Sequence, residues 1–337
     1  MPVQARVSQA GRLRLIEVEP REPGGGEVLV NVHHCGVCGS DLHWFRGGGV
    51  PPTECPGHEA SGRVKAVGAG VTAWAEGDRV VVEPLRRCMR CSRCRAGDYH
   101  LCDQLGLYGI NLPGAMATEM VVPDYCLYPV PDTLDLAPAA LAEPLAVTVH
   151  ACRLGGVGAG SRVLVVGAGT VGLLTIAAAR KLGADFVAVS ARHEQQRELA
   201  RLMGADQVLA PEDLVAVQET PDTVVETVGG RASTLADAMF AVDKAGTIVV
   251  VGVFEGDPPF NPLVMLVKEV RMVASMTYNR GASGADFDTA LALLDERRGD
   301  LARLITHHFA LEDILHGFET AADKSTGAVK VLVEPGA

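Results

Sequence analysis

Short runs of β-branched and apolar residues, separated by glycine and proline, characterise the first part of the chain. "EVLVNVHHCGV" begins at residue 27, "GDRVVVEP" at residue 77 and "MATEMVVPDYCLYPVP" at residue 116. Brief strands punctuated by turn residues are typical of an irregular β domain. The pattern therefore predicts a β-rich domain over residues 1–149.

From Ser161 the pattern changes to apolar strands that alternate with helix-like stretches. The predicted strands are "RVLVV", "FVAVS", "TVVETV" and "GTIVVVG", and the first two are each followed by a predicted helix. Such alternation favours right-handed βαβ units and a parallel sheet covered on both faces. Residues 150–275 are predicted to form this doubly wound sheet. The tail, residues 276–337, holds a predicted helix, "FDTALALLDER", and a final strand, "AVKVLVEP".

Length and composition indicate a globular protein of about two domains. A chain of 337 residues exceeds one ordinary core, and 48% hydrophobic against 21% charged residues excludes a disordered chain. No apolar run is long enough for a membrane span and the start lacks a signal-peptide core, which predicts a cytoplasmic protein without a membrane partner. The net charge of −11 argues against nucleic acid as a partner.

One arginine-rich stretch contains Cys88, Cys91, Cys94 and Cys102, with the spacing C-x2-C-x2-C-x7-C. Because cytosolic thiols stay reduced, metal binding is favoured over disulfides. A bacterial ferredoxin motif would end in C-x3-C-P, and a zinc ribbon would pair two C-x2-C knuckles. The spacing therefore favours a structural zinc in a lobe over about residues 84–104, with arginines offsetting the thiolate charge. A closed four-thiolate site leaves no position for a substrate, so catalysis must lie elsewhere.

Gly167, Gly169 and Gly172 form the pattern G-x-G-x-x-G directly after a predicted strand and at the start of a helix. In that context the first glycine permits a tight turn, the second lets a pyrophosphate approach the backbone, and the third allows close helix–strand packing. Amides at the helix start, around Thr170 and Val171, face the phosphates. The motif predicts dinucleotide binding.

The choice of cofactor depends on the end of the next strand, about twenty residues further on. No acidic residue stands there, and the positions are Ser190, Ala191, Arg192 and His193. A cation and a small hydroxyl can accommodate a 2′-phosphate, which favours NADP over NAD. The alternative is that Arg192 is a solvated first-turn arginine and that neither cofactor is strongly selected.

A second group of metal-binding side chains lies in the β-rich part. "CGVCGSDLHW" and "CPGHEASG" contribute Cys38, Asp41, His43, His58 and Glu59. Each alone could be a buried cysteine, a core histidine or an exposed acid. Thiolate, imidazole and carboxylate together form a mixed zinc environment that can leave one position free for water or substrate. Beside a nicotinamide motif, this group predicts a catalytic zinc in addition to the structural one.

The chain resembles the zinc-dependent medium-chain alcohol dehydrogenases over nearly its whole length. Six features occur in the order typical of that family: "GVCGSDLH", "GHEASGRVKAVGAGV", "GDRVVVEP", the four-cysteine lobe, "AEPLAVTVHA" and "VGAGTVG". The resemblance implies an α/β protein with a GroES-like β-rich catalytic domain built from both chain ends and a Rossmann doubly wound domain between them. It also implies a homodimer or homotetramer that acts on a small-molecule alcohol.

Residue by residue, the resemblance makes Cys38 and His58 ligands of the catalytic zinc. The family's third protein ligand falls at Glu143, and a Glu-Pro pair there is similar to the polyol and sorbitol dehydrogenase branch. In such members Glu59 can also coordinate, so both carboxylates are candidates. Asp41 is expected to orient His58.

The same resemblance implies a mechanism. Zinc acts as a Lewis acid on the substrate hydroxyl, Ser40 takes the proton and passes it through the ribose hydroxyl and His43 to solvent, and hydride moves to the nicotinamide. The expected substrate is a polyol, sugar alcohol, cyclitol or amino alcohol. A threonine-type or simple secondary-alcohol dehydrogenase is one alternative, and a non-catalytic NAD(P)-binding sensor is another.

A few further residues are left with open or minor roles. Trp44 and Phe45 are either pocket walls or core, and the stretch from Trp44 to Glu59 is a candidate lining of the substrate pocket. His307 and His308 are expected in or beside a strand, without a functional role.

Overall fold

The computed structural model describes residues 1–7, 12–47, 52 and 54–336, apart from the side chain of Val215. The chain separates into two compact units, Met1–Glu143 with Asn279–Ala337, and Pro144–Tyr278. The tail therefore belongs to the same unit as the first part of the chain. The domain bounds at residues 149 and 275 stay predictions. Part of the predicted pocket lining before Glu59 lies outside the described residues.

Strands and helices alternate through the described residues. The strands are β1 Val3–Val7, β2 Leu13–Glu17, β3 Glu27–Gly36, β4 Glu59–Val67, β5 Arg79–Val82, β6 Leu85–Arg86, β7 Gly106–Leu107, β8 Glu119–Pro123, β9 Leu127–Pro129, β10 Arg162–Val166, β11 Phe186–Ser190, β12 Gln207–Leu209, β13 Thr223–Glu226, β14 Thr247–Val250, β15 Arg271–Ala274, β16 Arg280–Gly281, β17 Gly284–Ala285, β18 Ile305–Ala310 and β19 Lys330–Glu334. The α-helices are α1 Gly39–Phe45, α2 Ser92–Ala96, α3 Leu136–Ala139, α4 Ala142–Leu154, α5 Thr170–Lys181, α6 Glu194–Met203, α7 Thr234–Ala241, α8 Pro262–Lys268, α9 Asp286–Glu296, α10 Arg298–Ala302 and α11 Ile314–Ala322. Short 3-10 helices lie at Tyr99–Leu101, Asp124–Cys126, Pro211–Ala216, Leu311–Asp313 and Lys324–Thr326.

The first unit is built on a sheet in the order β18-β19-β3-β4-β5-β9, with β8 also paired to β3. β19 from the tail runs antiparallel to β3, with Leu332 opposite Gly36. On one face a hydrophobic core includes Trp44 and Phe318, whose rings lie 5.4 Å apart, and half-buried Phe45 packs against it. Trp44 is therefore part of the core and not a pocket wall.

The second unit is built on six parallel strands in the order β12-β11-β10-β13-β14-β15. This is the doubly wound Rossmann order, in which the succession of strands reverses beside β10. The four predicted strands correspond to β10, β11, β13 and β14, which carry buried valine-rich runs. The outer strands β12 and β15 are short or partly exposed, so the apolar pattern does not reveal them. The predicted α/β fold class is confirmed.

None of the helices in the described ranges combines the length and the hydrophobicity that a membrane span requires.

Candidate active site

Cys38, His58 and Glu59 lie together in the first unit. Cys38 directly precedes α1, and His58 directly precedes β4, which begins at Glu59 opposite Gly36 of β3. One ligand atom from each of Cys38, His58 and Glu59 lies within 4.8 Å of the other two. The structure thus brings together three of the four residues predicted to hold the catalytic zinc.

Glu59 is held by a buried lysine to which no motif points. Nζ of Lys330 lies 2.8 and 2.5 Å from the two carboxylate oxygens and 3.2 Å from the carbonyl oxygen of Val37. The side chain of Lys330 is only 2% exposed and that of Glu59 only 1%. A Cβ atom at Gly36 would lie 1.9 Å from Oε2 of Glu59, so glycine is required there. The signal in the sequence is a lone lysine inside the apolar run "VKVLV".

The electrostatic field at the cluster favours a cation. Burial opposes protonation of His58, but the negative charges of Cys38 and Asp41 outweigh burial and raise the pKa of this histidine well above its ordinary value. Nδ1 of His58 and Oδ1 of Asp41 are buried and make no hydrogen bond to a described residue. Thiolate, imidazole and carboxylate are donors that zinc takes in catalytic sites. The residues therefore fit a zinc ion.

The other residues expected around Cys38 lie on α1. Ser40 and His43 are one helical turn apart, and both are half-buried. Asp41 is fully buried, and its Oδ2 accepts a hydrogen bond from the backbone N–H of Cys38 at 3.0 Å. Asp41 was expected to orient His58, yet its bond in the structure fixes Cys38, and it acts on His58 through its charge.

Glu143 lies in the first turn of α4 and is buried. Its negative charge contributes to the raised pKa values of both His58 and Lys330, although burial opposes the charged form of each. Glu143 is not part of the group of described ligand atoms within 4.8 Å of one another. Glu59 meets this distance to Cys38 and His58, and Glu143 stays the second candidate carboxylate, near enough for its charge to act on His58.

The four lobe cysteines form a second cluster. Their four Sγ atoms all lie within 4.8 Å of one another, at 3.9 Å between Cys88 and Cys94 and 4.0 Å between Cys91 and Cys102. A tetrahedral site with Zn–S bonds of about 2.3 Å places its sulfurs about 3.8 Å apart. A disulfide would bring two sulfurs to about 2.05 Å. The four residues therefore fit a zinc ion and not a pair of disulfides.

Backbone N–H groups converge on these sulfurs. Those of Cys91 and Cys94 each donate to the Sγ three residues earlier, and that of Cys88 donates to Cys102, all at 3.4 Å. Backbone hydrogen bonds lower the pKa of Cys88 to about 6, whereas burial and the neighbouring sulfurs raise that of Cys94 to about 12. Four thiolates held this close repel one another, and a bound dication offsets their negative charge. Metal binding and thiolate formation are therefore coupled.

Arg87 has a different role from the one expected of the lobe arginines. Its Nη1 donates to Oε2 of buried Glu83 at 2.7 Å. Its guanidinium carbon lies 4.0 Å from the ring centre of Tyr99 and 4.7 Å from that of Tyr125. This arginine therefore stabilises the lobe through an ion pair with Glu83 and cation–π contacts with two aromatic rings. Its role is not to offset thiolate charge.

Cys94→Ser is expected to remove one zinc equivalent per chain and to lower the melting temperature by at least about 5 °C, because a structural zinc contributes directly to folding free energy. Metal analysis and a thermal melt measure the two effects. Cys152→Ala is the control, at a buried cysteine outside both clusters, and should keep the wild-type zinc content. A Cys94→Ser protein with unchanged zinc content would contradict the lobe assignment.

The glycine turn between β10 and α5 has the shape that a pyrophosphate site needs. Gly167 has a φ of +99°, in the left-handed region. A Cβ atom at Gly172 would lie 1.9 Å from the carbonyl oxygen of Gly167, so only glycine allows this approach. Gly169 precedes α5, and a Cβ there would meet no described atom within 4 Å. Space is thus left in front of Thr170 and Val171, where helix amides can meet a phosphate.

Ser190 is placed differently from the prediction. It is buried at the end of β11, and its Oγ accepts a hydrogen bond from the backbone N–H of Gly167 at 2.9 Å. The hydroxyl therefore braces the glycine turn, where it was expected to contact a 2′-phosphate. Arg192 and His193 follow on the surface, and His193 directly precedes α6.

Arg192 lines a cavity of about 550 Å³ in the second unit. The hydroxyl residues Ser233 and Thr234 and the acids Glu212 and Asp237 share the lining. Arg192 is the one basic side chain among these described lining residues. A phosphate in this cavity would meet the guanidinium of Arg192 and the hydroxyl of Ser233, whereas the hydroxyl of Thr234 donates to Glu226 and the two acids oppose an anion.

Two families match the chain. Residues 24–132 match the alcohol dehydrogenase GroES-like domain, and residues 170–296 match zinc-binding dehydrogenase. Among curated relatives, sorbitol dehydrogenase from Gallus gallus is 33% identical over 345 residues, which cover 97% of this chain and 95% of the relative. The match therefore extends over both units and the tail.

Solved structures share the fold over almost the whole chain. Galactitol-1-phosphate dehydrogenase from Escherichia coli has a TM-score of 0.88 at 29% identity, covering 99% of this chain and 100% of its own. A candidate zinc-binding dehydrogenase from Sinorhizobium meliloti, solved bound to NADP, has a TM-score of 0.88 at 32% identity and 99% coverage of both chains. The prediction of a zinc- and NAD(P)-dependent dehydrogenase is confirmed, and the chain belongs, with sorbitol dehydrogenase, to the zinc-dependent medium-chain alcohol dehydrogenase family.

Proposed function

We propose that this enzyme transfers hydride between NADP and a secondary hydroxyl of a polyol or sugar alcohol. The observation that carries the proposal is the carboxylate of Glu59 beside Cys38 and His58, with ligand atoms within 4.8 Å. Two buried carboxylates, Glu59 and Glu143, near a single thiolate make the site more polar than a second thiolate would, which suits a hydroxyl-rich substrate. The names of two similar proteins, sorbitol dehydrogenase and galactitol-1-phosphate dehydrogenase, support this substrate class.

Each chain would hold two zinc ions, one in the lobe and one between Cys38, His58 and Glu59. When bound, the second ion supplies Lewis-acid polarisation of the substrate hydroxyl and lowers its pKa. Lys330 fixes the Glu59 carboxylate through two hydrogen bonds and balances its charge. Glu143 is a second buried carboxylate whose charge also reaches His58.

Proton transfer is assigned to α1. Ser40 would accept the proton of the substrate hydroxyl while giving up its own, and His43, one turn further along, would pass that proton on to solvent. Both side chains are half-buried, so each can face the substrate and water. The bond from the Cys38 N–H to Asp41 ties the start of this helix to a metal ligand. The relay and the ligand therefore keep a fixed relative position.

The two units would have different roles in the reaction. The first would be the catalytic domain, and the second would bind the dinucleotide on the turn from Gly167 to Gly172. NADP is favoured because the three positions directly after β11, Ala191, Arg192 and His193, hold no acid and because Arg192 lines a cavity of this unit. The NADP-bound relative supports this choice.

Introducing Asp at Ala191 together with Arg192→Gln is expected to change the ratio of kcat/KM for NADP over NAD by at least about 10-fold in favour of NAD. A charge-assisted hydrogen bond is worth about 1.5–3 kcal/mol, and about 1.4 kcal/mol is tenfold. Steady-state rates with each cofactor measure the ratio. Arg201→Gln, at an exposed arginine further along α6, is the control and should leave it unchanged. An unchanged ratio in the double variant would remove Arg192 from the proposal.

The substrate class is tested with zinc-loaded enzyme and a panel of polyols, cyclitols, threonine and simple secondary alcohols. A site arranged for several hydroxyls is expected to give a kcat/KM for its best polyol at least about 100-fold above that for 2-propanol. Higher turnover of threonine or 2-propanol than of any polyol would support the threonine-type or simple secondary-alcohol dehydrogenase instead. Dinucleotide binding without turnover of any alcohol would support the sensor alternative.

Assembly and location are further parts of the proposal. β15 is an edge strand, and the adjoining helix α8 exposes Leu263, Leu266 and Val267 at its surface. An unpaired edge beside apolar side chains suits a second copy of the chain, which supports a homodimer or a homotetramer of dimers. Each of the nine cysteines lies outside any disulfide, which supports a cytoplasmic location.

A further inference from the structure

Three metal-binding side chains from neighbouring strands meet away from both zinc clusters. They are His34 of β3, Glu334 of β19 and His308 of β18, and these strands are adjacent in the order β18-β19-β3. The antiparallel register that pairs Leu332 with Gly36 places Glu334 opposite His34. Parallel pairing of β18 with β19 places His308 opposite Leu332, on the same face of the sheet.

The three side chains are close enough to share one ion. Oε1 of Glu334 lies 2.6 Å from Nδ1 of His308 and 3.6 Å from Nδ1 of His34, and the three ligand atoms all lie within 4.8 Å of one another. Nδ1 of His34 is buried and makes no hydrogen bond within the described part of the chain. The side chains of His34, Glu334 and His308 are 19%, 26% and 45% exposed, so an ion can enter from solvent.

The donor set fits a divalent cation of the zinc class. Two imidazole nitrogens and one carboxylate oxygen form a known three-ligand zinc set, in which water completes the tetrahedron. Bonds of about 2.0–2.2 Å place such ligands about 3.4 Å apart. The 3.6 Å between Glu334 and His34 is near this value, and the 2.6 Å contact between Glu334 and His308 is a hydrogen bond that the ion would replace. Burial lowers the pKa of His34, which keeps its imidazole neutral and available as a ligand at neutral pH, although Glu334 opposes this shift.

We infer that His34, His308 and Glu334 form a third metal site, which binds Zn²⁺ from solution. The site would link the tail strands β18 and β19 to β3. From His34, β3 leads within four residues to Cys38, and β19 also carries Lys330, which holds Glu59. An ion here would therefore stabilise the strands on which the catalytic cluster rests.

The test titrates Zn²⁺ into enzyme that already holds its two other zinc ions, and measures bound zinc per chain by equilibrium dialysis and the melting temperature at each concentration. Wild type is expected to take up one further equivalent and to melt higher as it does so. His308→Gln and Glu334→Gln should each lose that equivalent and the rise in melting temperature, and both positions are exposed enough for the variants to fold.

His307→Gln is the matched control. This neighbouring histidine lies on the same strand, and its Nδ1 contacts Oγ1 of Thr306 at 3.0 Å, outside the three-residue group. It should bind the further equivalent as wild type does. Equal zinc uptake by wild type and His308→Gln, with equal melting temperatures, would overturn the inference.

Discussion

Replacement of Lys330 by methionine is expected to lower the free energy of unfolding by about 3–5 kcal/mol. The variant leaves the carboxylate of Glu59 buried without its partner, and breaking a buried ion pair from one side has a cost of this size. The ion pair of Lys330 with Glu59 is buried, since the two side chains are 2% and 1% exposed. Both hydrogen bonds to the carboxylate come from the one ammonium group. Denaturant unfolding of the zinc-free protein measures the loss without interference from metal binding.

Lys65→Met is the matched control for this experiment. Lys65 pairs with Glu119, but the lysine side chain is 46% exposed. Such a pair contributes about 0–1 kcal/mol. The double variant Lys330→Met/Glu59→Gln removes both charges and should recover part of the loss, because no unpaired carboxylate remains. A loss at Lys330 no larger than that at Lys65 would show that the Glu59 carboxylate does not depend on its lysine.

The cysteine lobe and the glycine turn could be predicted because their chemistry is local. Four sulfurs within fifteen residues and three glycines within six need only one loop each to form their sites, so spacing alone carries the signal. The buried strands of the parallel sheet are also local signals, since each is a continuous apolar run. The pattern did not predict β12 and β15. These strands lie at the two edges of the sheet, where polar residues interrupt the apolar run.

The side chains that hold the site residues in place could not be predicted in the same way. Lys330 meets Glu59 across 271 residues of sequence, only because β19 of the tail pairs with β3. Ser190 is a second example. Its hydroxyl was predicted to contact a 2′-phosphate, but in the fold it accepts a hydrogen bond from the backbone N–H of Gly167. A side chain's type shows which bonds it can make, while the pairing of distant strands decides which of them it does make.

Cys38→Ala is expected to lower kcat/KM by at least about 1,000-fold. The variant removes one of three ligands from the catalytic cluster, and Lewis-acid polarisation of the substrate is worth several kcal/mol at about 1.4 kcal/mol per decade of rate. Dinucleotide affinity should stay within about twofold, because the glycine turn belongs to the other unit. Steady-state kinetics and a direct cofactor titration separate the two quantities.

Cys35→Ala is the control that isolates metal binding from the loss of a thiol. Cys35 lies three residues earlier, is buried in the core, and burial raises the pKa of its thiol well above the ordinary value, so it stays a neutral packing group. It should keep near wild-type activity and both zinc ions, whereas Cys38→Ala should keep only the zinc of the lobe. If Cys38→Ala retained both ions and full turnover, Cys38 would be removed from the ligands of the catalytic zinc.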